Sequence, residues 1–180
     1  MSRLRLLLLL ALAGCTPPME LLSQPSPPSS GVSALDAGAP WSPPLATNAT
    51  GCAARGPLPD PACSPGAVGT TDLAVICGQG TRERRHVTEA TRRAVFEAYG
   101  APWDERAGYE VDHLISLELG GSNDVANLWP EPAEPRPGFH EKDAVENYLH
   151  REVCAGRMPL AEAQRVIATD WTKVLEAARR

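Results

Sequence analysis

The chain lacks an excess of basic residues. Its 17 lysines and arginines are outnumbered by 22 aspartates and glutamates, which gives a formal net charge of −5. Proteins that bind nucleic acid tightly and without sequence preference usually carry a basic field, so the overall charge argues against that class. The sequence also has no Cys-x-x-Cys pair and no visible internal repeat. A structural zinc site of the common kind is therefore not expected.

A hydrophobic run long enough to span a bilayer is also missing. The apolar run near the N-terminus is too short, follows Arg3 and Arg5, and ends in Leu12-Ala13-Gly14-Cys15. This order resembles a bacterial lipoprotein signal, which is cut before the cysteine. The resemblance implies a signal peptide over residues 1–14, lipidation of Cys15, and a mature protein without a transmembrane helix.

Thr16, and not an aspartate, follows Cys15. By the sorting rule of lipoproteins, this favours the outer membrane over the inner. We expect the protein in the bacterial cell envelope, lipid-anchored at the outer membrane or facing the periplasm, or secreted. The alternative is an ordinary secretory signal with an incidental cysteine.

Residues 15–60 are rich in Pro, Ser and Ala and show little apolar periodicity. Such a segment cannot bury enough surface to offset the entropy of ordering. We predict a disordered tether over 15–60 and one folded domain over 61–180. That length, roughly 120 residues, suffices for a single small core.

Four cysteines besides Cys15 remain: Cys52, Cys63, Cys77 and Cys154. An even number in an exported chain favours disulfides. Four cysteines allow three pairings, and the sequence does not choose between them rigorously. The preferred pairing is Cys77–Cys154, which ties the start of the domain to a later helix, with Cys52–Cys63 closing a small Pro-rich loop.

Apolar periodicity and turn residues predict the elements of the domain. Helices are expected over 87–99, 140–153 and 159–178, with Ala144, Tyr148 and Leu149 sharing one face of the second. Residues 109–119 alternate as a strand, Gly120-Gly121 forms a turn, and residues 125–129 form a return strand ended by Pro130. The fold class is α+β, with a small hairpin packed against flanking helices and stapled by disulfides.

One set of motifs carries chemistry. Tyr109-Glu-Val-Asp-His-Leu-Ile115 is followed by Gly120-Gly121, then by Asn127-Leu-Trp-Pro130, and then by a helix that opens on Phe139-His140. In this order and at hairpin spacing, the motifs resemble the HNH (ββα-metal) endonuclease family. The resemblance implies a ββα-metal core over residues 109–150. It also implies a metal-dependent endonuclease that hydrolyses phosphodiester bonds of nucleic acid, expected to be DNA, outside the cytoplasm.

The resemblance also implies roles for single residues. His113 matches the general base, and a neutral imidazole suits that role near pH 7. Asp112 matches a metal ligand, and His140 and Asp143 complete the expected ligand set. Asn127 matches the family's middle Asn, which usually supports the loop that carries the base. Asp112 and His113 are neighbours on an extended segment, so one site can use both only if the strand bends or ends there.

An oxygen-rich ligand set favours Mg²⁺ as the cofactor, with Mn²⁺ or Zn²⁺ as alternatives. Cationic side chains are needed to hold the phosphate. The candidates are Lys142 and the arginine cluster of residues 82–93, of which Arg82, Arg84 and Arg85 come first. A solvated helix face explains that cluster equally well.

Two other functions stay open. One is a catalytically inactive module that kept the HNH fold to bind nucleic acid or a protein partner, which the acidic charge favours. The other is a structural envelope lipoprotein in which the pair at 112–113 is merely buried.

Overall fold

The computed structural model describes residues 41–180. The predicted signal peptide, Cys15 and the first part of the predicted tether lie outside these residues. The described part is α+β, with helices around a two-stranded antiparallel sheet. None of its helices is long and apolar enough to cross a membrane.

The elements follow one another in a simple order. Helices α1 (Leu73–Gly78) and α2 (Glu89–Ala98) precede strands β1 (Tyr109–His113) and β2 (Leu128–Pro132). Helix α3 (Phe139–Cys154) comes next, and α4 (Leu160–Asp170) and α5 (Leu175–Ala178) end the chain. Short 3-10 turns stand at Trp103–Gly108, Leu117–Leu119, Val125–Asn127 and Trp171–Val174.

Both strands of the hairpin differ from the prediction in their bounds. Strand β1 stops at His113, and Ser116 then caps the turn Leu117–Leu119. Strand β2 begins at Leu128 and continues through Pro130, which pairs with Val111. A proline is tolerated there because β2 has only one neighbouring strand in residues 41–180, so its outer edge has no ladder to lose. The predicted stop at Pro130 was wrong for that reason.

Gly121 lets the hairpin connection fold back on itself. A Cβ atom there would lie 1.8 Å from the carbonyl oxygen of Ile115. Its neighbour Gly120 has a φ of 79°, in the left-handed region that favours glycine. The pair therefore brings the middle of this connection against its start.

Helix α3 supplies one wall of the core. Its buried positions are Lys142, Val145, Leu149 and Val153, a stripe with steps of three and four residues. The prediction had placed Ala144 and Tyr148 beside Leu149, which rotates the buried face by part of a turn. The main core cluster consists of Ile115, Leu119, Val145, Leu149, Val153, Ala163, Ile167, Trp171 and Leu175.

The last predicted helix is divided near its middle. Asp170 ends α4, and its carboxylate accepts a hydrogen bond from the backbone N–H of Thr172 at 3.2 Å. The interruption turns Trp171 fully into the core, where its Nε1–H donates to the carbonyl of Pro57 at 3.0 Å.

The folded unit begins before the predicted boundary at residue 60. Trp41 and Leu58 pack against the main core cluster, and Cys52 is buried. Residues 41–60 therefore belong to the same folded unit as the rest of the described chain, because Trp41 and Leu58 contact its core. This part of the predicted tether is corrected.

Both preferred disulfides are confirmed. Cys52 and Cys63 are bonded with their Cα atoms 5.9 Å apart, and Cys77 and Cys154 with theirs 5.6 Å apart. The second bond joins α1 to the end of α3. Disulfides persist in oxidising compartments, so the pair indicates a location outside the cytoplasm.

Candidate functional site

Asp112 and His113 stand at the end of β1 and engage different elements. The carboxylate Oδ2 of Asp112 lies 2.6 Å from Nζ of Lys142 in α3. The ring Nε2 of His113 lies 3.1 Å from Oδ1 of Asn123, in the connection that follows. Successive side chains of a strand point to opposite faces, and the strand does not bend enough to bring these two onto one partner.

Asn123 fixes the protonation pattern of His113. Its Nδ2 donates to the carbonyl of Arg84 at 2.8 Å, and its Oδ1 accepts from the backbone N–H of His86 at 3.0 Å. Because Oδ1 is an acceptor, Nε2 of His113 must carry the proton. The lone pair of the ring is then on Nδ1, which is buried without a hydrogen-bond partner. Sequence reasoning missed Asn123, since an Asn after a Gly-Gly turn equally predicts an ordinary turn residue.

His113 is held in its neutral form. The ring is 1 % exposed, and burial is the largest cause that lowers its pKa to about 4, against which the hydrogen bond to Asn123 acts. A neutral imidazole with a fixed tautomer has the electronic form of a general base. The Nδ1 atom nevertheless has no access to solvent in this arrangement.

Asn127 is fully buried and ties the connection together. Its Oδ1 accepts from the backbone N–H groups of Ile115 and Ala67, at 2.9 and 3.2 Å. Its Nδ2 donates to the carbonyls of Ile115 and Ser122, at 3.0 and 2.8 Å. These contacts hold the loop between the strands in shape, and no contact reaches a reacting group.

Lys142 is a buried cation at the centre of the site. Its side chain is 1 % exposed, and its ammonium group contacts Asp112, Glu146 and the carbonyl of His113, the last at 2.9 Å. Burial alone would lower the pKa of Lys142, but the three carboxylates around it outweigh burial and raise the pKa. The same contact lowers the pKa of Asp112 against the effect of burial. Both groups are charged at neutral pH.

Glu131 and Glu146 complete this network and were not predicted. Burial, and then the nearby Asp112 carboxylate, raises the pKa of Glu131 well above its ordinary value. Burial and the neighbouring Asp112 carboxylate thus favour the protonated form of Glu131. Burial also raises the pKa of Glu146 to about 7, although Lys142 opposes the shift, and its Oε2 accepts from the Ser116 hydroxyl at 2.8 Å.

The predicted metal ligands do not fit a divalent ion. Asp112 already pairs with an ammonium group, and His140 is exposed with its ring 4.2 Å from that of Phe139. Within residues 41–180, Asp112, His140 and Asp143 are not among the sets of three potential ligands whose donor atoms lie within 4.8 Å of one another. The positive charge beside Asp112 comes from Lys142.

The predicted phosphate-binding residues fall into two groups. Lys142 is buried and fully engaged, so the prediction that it holds phosphate is corrected. Arg84 is half-buried and donates through Nη1 to the carbonyl of Leu117 at 2.7 Å. Arg82 and Arg85 are exposed, and Arg85 pairs loosely with Glu110 at 3.3 Å. Only these two present their guanidinium groups to solvent.

A second cationic surface lies beside them. We call it the arginine cleft; it has a volume of about 390 Å³ and is lined by Val87, Glu89, Arg92, Arg93, Trp103 and Arg106. The guanidinium carbons of Arg93 and Arg106 lie 4.3 and 5.2 Å from the centre of the Trp103 ring. One carboxylate, that of Glu89, pairs with Arg93 at 2.8 Å. Three guanidinium groups against one carboxylate make the cleft locally positive.

Among the residues that the structure describes, one group could bind a metal ion. The Sγ atoms of Cys77 and Cys154 and a ring nitrogen of His150 lie within 4.8 Å of one another. In this structure both sulfurs are used by the disulfide, so they are not thiolate ligands. The sequence analysis missed this group because it looked for Cys-x-x-Cys pairs. Cys77 lies on a different helix from His150 and Cys154, so no such pair is present.

Comparisons of the chain with protein-family models, with curated proteins and with solved structures find no match. The resemblance to the HNH family therefore stays a prediction from the sequence motifs.

Proposed function

We propose that the chain is an exported nucleic-acid-binding module on an HNH-like core, in which the Lys142 ammonium stands where the family would hold a metal ion. The observation that carries the proposal is the arginine cleft. Guanidinium groups bind phosphate as charged donors, and an aromatic ring between them suits contact with bases. On a chain that is acidic overall, this local excess of positive charge favours an anionic ligand.

The order of elements supports the HNH-like core. The Asp-His pair ends β1, the Gly-Gly turn follows, and Asn127 directly precedes β2. Helix α3 then packs against β1 through Lys142. Both the strand–turn–strand–helix order and the bonding of Asn127 agree with the roles that the resemblance implies.

Two features favour binding over cutting. Hydrolysis in this family needs a cation that is free to contact the phosphate, whereas the cation beside Asp112 is a buried ammonium group. It also needs a base whose lone pair reaches water, whereas Nδ1 of His113 is buried. The ligand is the backbone of DNA or RNA, recognised through its phosphates.

The second candidate is a metal-dependent endonuclease, with His113 as base and Mg²⁺, Mn²⁺ or Zn²⁺ as cofactor. The neutral, tautomerically fixed imidazole of His113 favours it. This function requires Asp112 to leave Lys142 and to combine with His140 or Asp143. Lipid attachment at Cys15 would hold either kind of protein at the envelope.

Binding is tested by fluorescence anisotropy with short labelled single- and double-stranded DNA and RNA. We expect Arg92→Gln with Arg93→Gln to weaken binding about tenfold or more and to flatten its salt dependence, because phosphate contacts release counterions. The control is Arg179→Gln with Arg180→Gln, which removes the same charge from exposed positions outside the cleft. Equal losses in both double variants would show a general charge effect and would exclude the cleft.

Cleavage is tested in parallel with plasmid DNA in Mg²⁺, Mn²⁺, Zn²⁺ or EDTA. The binding proposal expects intact plasmid in every condition. Metal-dependent nicking that disappears in His113→Ala would instead establish the endonuclease and overturn the first proposal.

A further inference from the structure

We propose that Cys77, His150 and Cys154 form a redox-gated site for a thiophilic divalent cation such as Zn²⁺. Oxidised, the two cysteines staple α1 to α3. Reduced, they bind a metal together with His150 and hold the same two helices. This inference does not depend on the proposed function.

The positions of the three residues suit one metal. His150 and Cys154 are four residues apart on α3 and so share one face of the helix. Cys77 enters from α1, and its Cα atom lies 5.6 Å from that of Cys154. In a tetrahedral zinc site with bonds of about 2.0–2.3 Å, neighbouring donor atoms lie roughly 3.3–3.8 Å apart. Donor atoms that already lie within 4.8 Å of one another need only small side-chain rotations.

The hydrogen bonding of His150 is that of a ligand. Its Nε2 lies 3.1 Å from the carbonyl oxygen of Ile76, the residue before Cys77. A carbonyl accepts only, so Nε2 carries the proton and Nδ1 keeps its lone pair. Metal-binding histidines almost always donate their other N–H to a carbonyl, carboxylate or water, which orients the ring. Both cysteines are exposed, so reductant and metal can reach them.

The chemistry of the exchange is simple. A dithiol attacks the Cys77–Cys154 bond, becomes a disulfide itself, and leaves two protein thiols. On binding the cation the thiols lose two protons to solvent, and both thiolates and the imidazole become ligands. The fourth position of a tetrahedral ion is then open to water or to an external ligand.

The test uses the full chain, oxidised or reduced, titrated with Co²⁺ as an optical probe and then with Zn²⁺ in competition. We expect thiolate-to-cobalt absorption and tetrahedral d–d bands only after reduction, and their loss when Zn²⁺ is added. His150→Ala should keep the thiolate absorption but weaken Co²⁺ binding at least about tenfold. Loss of a residue that only orients a metal ligand already costs about that much in metal affinity, and His150 is proposed as a ligand itself. Cys77→Ser with Cys154→Ser, which retains Cys15, Cys52 and Cys63, should not bind.

Two results would overturn the proposal. One is equal Co²⁺ affinity in the Cys77→Ser, Cys154→Ser double variant, because the ligands would then lie elsewhere. The other is a reduced chain that loses its near-ultraviolet circular dichroism and does not recover it with Zn²⁺, because the metal would then not replace the disulfide. Reduced chain that unfolds without metal and refolds with it supports the site.

Discussion

The Nζ atom of Lys142 lies 2.6 Å from Oδ2 of Asp112, and both side chains are removed from solvent. This ion pair joins helix α3 to the end of strand β1. Taking two charges out of water is costly, and their mutual attraction offsets this cost only when both partners are present. Removing either one leaves an uncompensated charge inside the protein.

We expect Lys142→Met to destabilise the domain by about 3–5 kcal/mol, the usual cost of breaking a buried ion pair from one side. The urea dependence of unfolding, followed by tryptophan fluorescence, measures the loss. Lys173→Met is the matched control, because Lys173 is 76 % exposed and 3.5 Å from Asp170; its effect should stay within about 0.5 kcal/mol. Similar small effects in both variants would show that the Lys142 pair is not the strong contact described.

Removal of divalent metal should leave the oxidised chain unchanged. If Lys142 supplies the positive charge beside Asp112, Mg²⁺ and Mn²⁺ gain no contact in the folded state and cannot stabilise it by mass action. Thermal unfolding in EDTA and in excess Mg²⁺ should give the same midpoint. A midpoint that rises with the logarithm of the Mg²⁺ concentration would mean that a site exists after all.

His113 gives stability a definite pH dependence. Its pKa is about 4 in the folded protein against 6.5 ordinarily, so its contribution is fully present above pH 6.5 and is lost as pH falls from 6.5 to 4. The full shift corresponds to about 3 kcal/mol. Glu146 acts in the opposite direction, because its pKa is raised from 4.5 to about 7. Its contribution to stability is present below pH 4.5 and is lost as pH rises from 4.5 to 7.

The contribution of His113 is isolated by comparing wild type with His113→Gln. The difference in unfolding free energy between the two chains, measured by urea denaturation, should shrink as pH falls from 6.5 to 4. Glu146 is common to both chains, so its titration cancels. Parallel pH profiles would rule out a depressed pKa at His113.

Asn127→Ala should cost about 2–4 kcal/mol, because it leaves buried backbone groups of Ile115 and Ser122 without partners. Asn147→Ala is the control, since its exposed amide makes one bond to the Asp143 carbonyl at 2.7 Å. Hydrogen exchange of the Ile115 amide should accelerate in Asn127→Ala only. An unchanged exchange rate of the Ile115 amide in Asn127→Ala would show that Asn127 does not hold this loop in shape.

The sequence predicted those parts of the fold that depend on local signals. Helix α2 lies within the predicted range 87–99, and Thr88 caps it, its side chain accepting from the backbone N–H of Thr91 at 3.1 Å. The preferred one of the three possible disulfide pairings is present, although the sequence did not choose between them rigorously. The division of the last helix was missed, because it depends on Trp171 reaching Pro57, a contact between residues far apart in the chain.

The site was predicted less completely for a related reason. Lys142 was predicted to hold phosphate, although it lies three residues before Val145 on the buried stripe of α3. A lysine in that position makes sense only once Asp112 and Glu146 are known to face it. Asn123 depends in the same way on Arg84 and His86, which local patterns do not bring together.

The two disulfides also decide which parts of the domain bear mechanical load. Tension between residue 41 and the C-terminus crosses from Cys52 to Cys63 and from Cys77 to Cys154 through covalent bonds. Only residues 41–52, 63–77 and 154–180 lie on that path. The hairpin, the arginine cleft, His113 and Lys142 all fall inside the bypassed loop. A pull on the chain therefore loads those groups only through their non-covalent contacts with the outer segments.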